Sequence, residues 1–271
     1  MARTFCLSLA LALLALGRCS AQTDSGYQLV LTIQADIVDF RVDKLGNIYL
    51  LSSNDQLKKV GPHGDSMAVF NEVQKYGKLY SLDVTNPLKI LLYYREFSTI
   101  VVVDRFLNIM NTIDLRSLNI FQAKAIALAY DNNVWVFDEL EAKLKRIGDD
   151  GSLIDQTTDF RQILDSVPDP TLVADQSGIV YLYDPEMGVY SFDHYGAFRR
   201  YIHLTGWEDF SVVERNLLGR DHQNLLRFPI DSFSIKLEPI PKDFLPAARI
   251  TIMPGMLYVL KANGLSVYAK R

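Results

Sequence analysis

Cysteine is almost missing from this sequence. The 271 residues contain two cysteines, Cys6 and Cys19, and both lie within the first 21 residues. If that segment is removed on export, the rest of the chain has no disulfide, no thiol nucleophile and no zinc–thiolate site. An exported protein without disulfides is more typical of the envelope of a Gram-negative bacterium than of eukaryotic secretion. We therefore predict export to the periplasm, with peripheral attachment to the outer membrane as an open variant.

The first 21 residues have the features of a secretory signal peptide. Arg3 gives a positive start, and Phe5–Leu16 is an apolar run of 12 residues. A run of this length suits a signal peptide and is too short to span a bilayer. We favour cleavage after Ala21, which ends a stretch of small residues. The alternative is lipidation at Cys19, although Arg18 stands where lipoprotein signals carry a small residue.

Long apolar runs and a surplus of positive charge are also missing after residue 21. No later stretch approaches the roughly 20 apolar residues of a membrane-spanning helix. Without Arg3 and Arg18, 26 basic residues face 32 acidic residues, which is a net charge of −6. This charge predicts no general binding to nucleic acid or to an anionic membrane surface. We divide the remaining chain into a short linker, 22–26, and a single domain, 27–271.

Common catalytic and cofactor motifs are missing as well. The four histidines show no ligand spacing such as His-x-x-x-His. No Gly-x-Ser-x-Gly nucleophile turn is present, and the glycines do not form a phosphate-binding loop. We therefore expect no cofactor and no catalytic residue. The histidines are His63, His194, His203 and His222.

The sequence does contain an internal repeat. A short apolar run after a turn recurs six times, at spacings of 37 to 46 residues. A pair of apolar residues three positions apart follows each run by seven to nine residues. Two features that recur together at this period indicate a repeat architecture. The central residues of the six runs are Tyr49, Leu91, Trp135, Tyr181, Leu218 and Tyr258.

Each repeat has the pattern of four short β-strands. In the first repeat, the apolar runs of four to six residues are separated by turn residues, which favours strands over helices. A period near 42 residues with four strands is typical of a propeller blade. We therefore predict an all-β, six-bladed β-propeller with four-stranded antiparallel blades, and one short helix over 160–167. The strands of the first repeat are predicted at 39–42, 47–52, 56–60 and 67–70.

The two ends of the chain predict how the ring closes. The sixth repeat ends at Arg271, after its third strand, so its fourth strand is missing. An additional strand, Tyr27–Ile33, precedes the first repeat. We predict that this N-terminal strand completes the last blade, because the pairing covers two sheet edges that would otherwise be open.

One segment of the first repeat resembles a known family. Phe40–Tyr49 has an apolar inner strand, an aspartate, a Gly-Asn turn and an apolar–aromatic second strand. It resembles the NHL-type six-bladed propeller repeat, and Tyr130–Val136 and Val173–Tyr181 are weaker copies. The chain is also similar to uncharacterised exported propellers of bacteria. The resemblance implies the fold over residues 27–271 and leaves the function open, because propellers carry many unrelated activities.

A metal site in the central channel is the enzymatic alternative. Lactonase-like six-bladed propellers resemble this fold and hold a divalent cation there with acidic and amide side chains. Asp39, Asp83 and Asp209 are the candidates for such a cage, but no acidic motif repeats among the blades, so we expect no metal. Three further aspartates precede turns, where we expect them to bond their own backbone. These are Asp43, Asp131 and Asp175.

Two segments have the composition of a protein interface. Tyr93–Phe97, with three aromatics and an arginine, is predicted between the second and third strands of blade two. We assign Tyr94, Arg95 and Phe97 to partner binding, and Trp207 in the link between blades four and five as a further anchor. The alternative is that the tyrosines and Phe97 only pack in the blade core.

Three functions remain open from the sequence. We favour a non-catalytic binding or scaffold module of the bacterial cell envelope, a subunit of a larger envelope complex with protein partners. The first alternative is a metal-dependent hydrolase of the lactonase type, with its site in the central channel. The second is a propeller that binds carbohydrate or peptide through exposed aromatics. The oligomeric state does not follow from the sequence.

Overall fold

The structure, a computed structural model, describes residues 26–232 and 234–271. The predicted signal peptide, its cleavage site after Ala21 and both cysteines lie outside the described residues. The described residues form six sheets, each of four antiparallel strands. This confirms the all-β, six-bladed β-propeller that the repeat predicted.

The strands of each blade are numbered in chain order. The inner strands are β2 (Asp39–Val42), β6 (Ser81–Asn86), β10 (Ala123–Leu128), β14 (Leu172–Gln176), β18 (Glu208–Val213) and β22 (Arg249–Met253). The second strands are β3 (Ile48–Leu51), β7 (Lys89–Tyr94), β11 (Val134–Asp138), β15 (Ile179–Asp184), β19 (Asn216–Arg220) and β23 (Met256–Lys261). The third strands are β4 (Leu57–Val60), β8 (Thr99–Val103), β12 (Lys143–Ile147), β16 (Gly188–Asp193), β20 (Asn224–Pro229) and β24 (Gly264–Lys270). The outer strands are β5 (Ser66–Phe70), β9 (Ile109–Asp114), β13 (Leu153–Gln156), β17 (Phe198–Ile202), β21 (Lys236–Pro239) and β1 (Tyr27–Ile33).

Helices in the described part of the chain are single turns. They are α1 (Val73–Tyr76), α2 (Phe160–Ile163) and the 3-10 turns Arg95–Phe97, Leu115–Leu118 and Lys242–Phe244. None of these described helices has the length or the apolar character needed to cross a bilayer. Helix α2 lies where a helix was predicted but ends earlier, because Leu164 is already extended, with φ −121° and ψ 151°.

Residue burial explains why the repeat was visible in the sequence. Each blade packs against a neighbour on both faces, so its second strand is buried on both sides and is apolar almost throughout. All six residues of β7 are buried, whereas the outer strand β17 is largely exposed. The six central residues of the repeat are buried on the second strands, where we expected a core. The apolar run therefore marks the layer between blades.

The ring closes through the first strand of the chain. Strand β1 pairs antiparallel with β24, from Tyr27 opposite Lys270 to Ile33 opposite Leu265, with one irregularity between Leu29 and Leu31. The inner strands β22 and β2 are neighbours, so the first and last repeats adjoin. The predicted closure of the last blade by the N-terminal strand is confirmed.

The strand order gives the ring two different faces. Links between blades, and links between second and third strands, lie on one face, which we call the link face. Hairpin turns between first and second strands, and between third and fourth strands, lie on the opposite face, which we call the turn face.

Candidate functional site

The link between strands β7 and β8 presents two of the predicted partner-binding residues. Tyr94 pairs with Thr99 across the two strands, and a 3-10 turn over Arg95–Phe97 connects them. Ser98 ends the turn in the left-handed region, at φ 50°. Its backbone oxygen accepts a 2.9 Å hydrogen bond from the Leu115 amide. The short turn leaves Arg95 partly exposed and Phe97 exposed on the link face.

The third predicted residue, Tyr94, is buried and needs a correction. It lies inside β7 with 4% of its surface exposed, and its ring stacks on Tyr76 at 5.3 Å between ring centres. Its neighbour Tyr93 is also buried and donates a 3.0 Å hydrogen bond to the backbone oxygen of Ala123. Burial raises the pKa of both phenols, that of Tyr93 to about 12. Both tyrosines pack in the core because blade two is covered on both faces, so a partner has no access to Tyr94.

Trp207, the predicted second anchor, is also part of the core. It has 7% of its surface exposed and packs with Phe210, at 6.1 Å between ring centres. The Trp207 amide donates a 2.8 Å hydrogen bond to the Tyr183 hydroxyl, which in turn donates to the Trp207 carbonyl at 2.8 Å. Trp207 therefore fills the layer between blades four and five and offers no exposed anchor.

Arg95 connects three segments of the link face. Its Cζ lies 5.0 Å from the centre of the Tyr80 ring, and Nη1 donates a 3.2 Å hydrogen bond to the Tyr80 hydroxyl. Nη2 lies 3.6 Å from Oε2 of Glu139 in the next blade. A guanidinium held by a ring and a carboxylate is restricted before any partner arrives, which lowers the entropy cost of binding.

Four exposed side chains lie on the segments that meet at Arg95, and we call them, together with Arg95, the link-face patch. Tyr80, Phe97, Phe121 and Leu140 are each between 45% and 55% exposed. Backbone contacts hold the segments together, because the Glu139 amide donates a 2.9 Å hydrogen bond to the carbonyl of Gln122. The Ser98 hydroxyl donates a second hydrogen bond, 3.4 Å long, to the Phe121 carbonyl. Tyr80, Phe121 and Leu140 were not predicted from the sequence, because they lie on three separate links.

The edge of the patch carries charges of both signs. Arg116 donates a 2.9 Å hydrogen bond to the carbonyl of Glu96, and Lys124 pairs with Asp169 at 2.6 Å. The Asp169 carboxylate raises the pKa of Lys124 through this hydrogen bond. An apolar, arginine-containing centre with a charged edge is the composition of a protein–protein interface.

The central channel holds arginines where a metal cage was considered. Asp39 pairs with Arg41 at 2.9 Å and with Arg249 at 2.7 Å, so its carboxylate is engaged on two sides. Asp209 pairs with Arg220 at 2.6 Å, and both side chains are largely buried. Burial and the neighbouring Arg41 lower the pKa of Arg249. Among the described residues, no three acidic or histidine side chains are grouped as metal ligands.

Two of the three cage candidates also connect blades through the backbone. Oδ2 of Asp83 accepts a 2.7 Å hydrogen bond from the Leu128 amide in the next blade. Oδ2 of Asp209 accepts a 2.8 Å bond from the Ile250 amide of blade six. Each carboxylate therefore satisfies an inner-strand amide at a blade boundary, which is a structural role.

The turn aspartates bond the turns that follow them. Oδ1 of Asp43 accepts from the amides of Leu45 and Asn47, at 2.9 and 3.0 Å. Asp175 accepts a 2.9 Å bond from the Gly178 amide and a 3.2 Å bond from Nε1 of Trp135. Burial raises the pKa of Asp175. The turn chemistry expected for these residues is present, and at Asp175 it extends to the preceding blade.

These features define the class of protein: the chain is a six-bladed β-propeller whose first strand closes its last blade. No protein-family model and no curated protein matches the sequence.

The fold is similar to solved propellers of different kinds. One is the catalytically inactive virginiamycin B lyase from Staphylococcus aureus with quinupristin, with a TM-score of 0.59 and 12% identity over 90% of this chain and 89% of that chain. Another is the extracellular domain of the hybrid two-component system BT3049 from B. thetaiotaomicron, with a TM-score of 0.55 and 12% identity over 86% of this chain and 33% of that one. A third is the Cps50 (Swd1) β-propeller domain from Myceliophteria thermophila, with a TM-score of 0.58 and 9% identity over 90% and 99% of the two chains. Identities this low show a shared fold alone.

Proposed function

We propose that this chain is a non-catalytic binding module of the bacterial cell envelope that holds a protein partner on its link-face patch. The observation that carries the proposal is the arrangement around Arg95. Its guanidinium is positioned by Tyr80 and Glu139, and Phe97, Phe121 and Leu140 are exposed beside it. Aromatic and arginine side chains at the centre of a patch are the residues that most often dominate binding energy.

The proposed cellular location rests on features of the N-terminal segment. The basic start, the apolar run and the small residues before Gln22 support export. The scarcity of cysteine and the negative net charge of the exported chain support a bacterial envelope and a protein partner. We therefore place the module in the periplasm, within a larger envelope complex.

The chemistry of the patch favours a protein over a carbohydrate. Stacking on a sugar needs an open ring face with hydrogen-bonding groups beside it, and Arg95 covers one face of Tyr80. Phe97 and Phe121 carry no polar group, so they suit an apolar surface. A lactonase-type reaction has little support, because arginines occupy the carboxylates of Asp39 and Asp209.

Photo-crosslinking tests the proposed surface directly. We would replace Phe97 with p-benzoylphenylalanine in the protein expressed in its own cells, and expect an adduct with one envelope protein. Phe106 is the matched control, because it is 52% exposed on the turn face and has Arg105 stacked on its ring at 4.6 Å. The same adduct from both positions, or an adduct from neither, would contradict the proposal.

A further inference from the structure

A cleft opens between blades five and six, away from the link-face patch. Its volume is about 440 Å³. Its apolar walls come from Leu218 and Leu225 of blade five and from Ile252 and Leu257 of blade six. Its lining reaches the turn face at Met253–Met256 and the rim of the ring at Lys236–Glu238. The volume lies in the range of small-molecule sites, which is about 300–1,000 Å³.

The cleft lies where the centre of a second strand carries leucine and not an aromatic ring. At the centre of the second strand, four other blades place a buried aromatic ring against the next blade. Blades two and five have leucine at this position. Leu91 is fully buried in the core between blades two and three, whereas Leu218 lines the open cleft between blades five and six. The four aromatic residues are Tyr49, Trp135, Tyr181 and Tyr258.

Because Leu218 carries no ring, the cation opposite it on the third strand also has no ring to pack against. In blade one, Lys59 lies opposite Tyr49, and its Nζ is 5.1 Å from the ring centre. In blade three, Arg146 lies opposite Trp135, with Cζ 5.6 Å from the ring centre. Both cations are buried. In blade five the corresponding cation is Arg227, which is exposed at the cleft.

A second cation stands beside Arg227. The pairing of β20 with β21 places Lys236 directly opposite Arg227, on the same face of the sheet. The only partner of the Arg227 side chain among the described residues is neutral, because its Nε donates a 2.8 Å bond to the Asn216 side chain. The nearby Glu238 is already engaged, since it accepts from Tyr27 at 2.6 Å and from Lys270 at 2.5 Å. Glu214 also lines the cleft, but no described ion pair joins it to either cation. Arg227 and Lys236 therefore face the cleft without a described carboxylate paired to them.

We infer that this cleft binds a small apolar acid, with an alkyl chain between the two blades and a carboxylate at Arg227 and Lys236. The apolar walls favour the chain through removal of its surface from water. The two cations favour the carboxylate through charge-assisted hydrogen bonds, and Arg227 suits a planar, two-oxygen headgroup. The inference does not depend on the protein partner, because the cleft and the link-face patch involve different blades.

Decanoate is the probe that tests this site. Calorimetric titration of the full exported chain, below micelle-forming concentrations, should show one decanoate bound per protein. Decanol and decylamine have the same chain with a neutral and a positive headgroup, and we expect them to bind at least about tenfold more weakly. Equal binding of the three compounds, or no binding of decanoate, would overturn the inference.

Two variants separate the apolar and the charged parts of the site. Leu218→Trp places in blade five the residue that blade three carries, and we expect it to abolish decanoate binding. The double variant Arg227→Gln with Lys236→Gln keeps the cleft, and we expect decanoate to lose its advantage over decanol. Lys242→Gln, an exposed cation on the link face, is the control and should bind like the wild type.

The melting temperature of Leu218→Trp shows whether this variant is folded. If Leu218→Trp lowers the melting temperature, Ile252→Trp fills the cleft from the opposite wall and takes its place. A folded filling variant that binds decanoate as the wild type does would overturn the inference. So would a charge variant that keeps the full preference for decanoate over decanol.

Discussion

Tyr27 donates a 2.6 Å hydrogen bond from its hydroxyl to Oε1 of Glu238. The contact joins the first strand of the chain to the outer strand of blade five, while the same strand pairs with β24 in blade six. Strand β1 therefore connects blade six to blade five. It also contributes Leu31 and Ile33 to the core between blades six and one. Ring closure in this propeller depends on apolar burial and on this polar contact together.

Removal of β1 should destabilise the whole ring. A chain that starts at Gln34 loses the partly buried side chains of Tyr27, Leu31 and Ile33 and exposes the edge of β24. We expect a loss of about 4 kcal/mol or more in the free energy of unfolding, measured by urea denaturation. Tyr27→Phe keeps the strand and removes the hydrogen bond to Glu238, so its cost should be about 1–2 kcal/mol. A shortened chain as stable as the full one would show that β1 is dispensable.

The link-face patch should contribute to binding and little to stability. The triple variant Arg95→Ala, Phe97→Ala and Phe121→Ala removes three exposed side chains. We expect a loss of partner binding of about 2 kcal/mol or more if one of them is an anchor, with little change in melting temperature. The matched control is Arg105→Ala with Phe106→Ala on the turn face, which should bind normally. A large fall in the melting temperature of the triple variant would show that these side chains are structural.

Trp207 and Tyr94 should contribute to stability and not to partner binding. Both fill the core, so truncation leaves a cavity. We expect Trp207→Ala to lower the free energy of unfolding by about 3–5 kcal/mol. At a temperature where the variant is still folded, crosslinking from position 97 should be unchanged. Loss of the crosslinked adduct in Trp207→Ala, without a loss of stability, would instead assign Trp207 to the partner interface.

Asp209 tests whether the channel carboxylates pair with arginine or hold a metal. Asp209 lies at φ 53°, a conformation that asparagine also adopts, so Asp209→Asn leaves the backbone unstrained. The change leaves Arg220 buried without its closest carboxylate, and we expect a cost of about 3 kcal/mol in urea denaturation.

The control and the metal measurement accompany that variant. Glu208→Gln removes a more exposed partner of the same Arg220, at 2.7 Å, and should cost less than about 1 kcal/mol. Chelation with EDTA should not change the stability of the wild type or of either variant. One equivalent of a divalent cation that survives dialysis and disappears in Asp209→Asn would favour the hydrolase alternative.

Stability should fall at high pH because buried tyrosines resist ionisation. Burial raises the pKa of Tyr93 and of Tyr183 to about 12, above the value of about 10 in an unfolded chain. The folded state thus holds these protons more tightly, so stability is complete below about pH 10 and declines as the pH rises towards 12. Urea denaturation at pH 9 and pH 11 should show a lower midpoint at pH 11, and Tyr93→Phe should reduce the difference between the two. Equal urea midpoints at the two pH values would contradict a raised pKa of these buried tyrosines.

Much of this architecture was accessible from the sequence. The six central residues of the repeat lie on the second strands, which are buried from both sides, so a nearly continuous apolar run marks each one. The Gly-Asn turn after Asp43 and the unmatched strand Tyr27–Ile33 were equally readable. Each of these signals is a short segment, and the repeat is recognised because the segment recurs every 37 to 46 residues. Local conformational preference and burial pattern are enough to determine them.

The candidate sites depended on contacts that no local pattern contains. Tyr94 and Trp207 have the composition of interface residues, but neighbouring blades cover them, and Arg95 and Phe97 remain exposed. The pairing of Asp39 with Arg249 joins residues 210 positions apart. Spacing along the chain holds no information about such a pair.

The sequence by itself determined the number of blades, the strands within each blade and the strand that closes the ring, because each depends on a periodic or terminal feature of the chain. Only the tertiary structure decided which aromatics are exposed, which carboxylates meet arginines, and that the layer behind Leu218 stays open. The physical reason is that burial and charge pairing depend on what the next blade places opposite a residue. That neighbour lies about 40 positions away along the chain, and the ring brings it into contact.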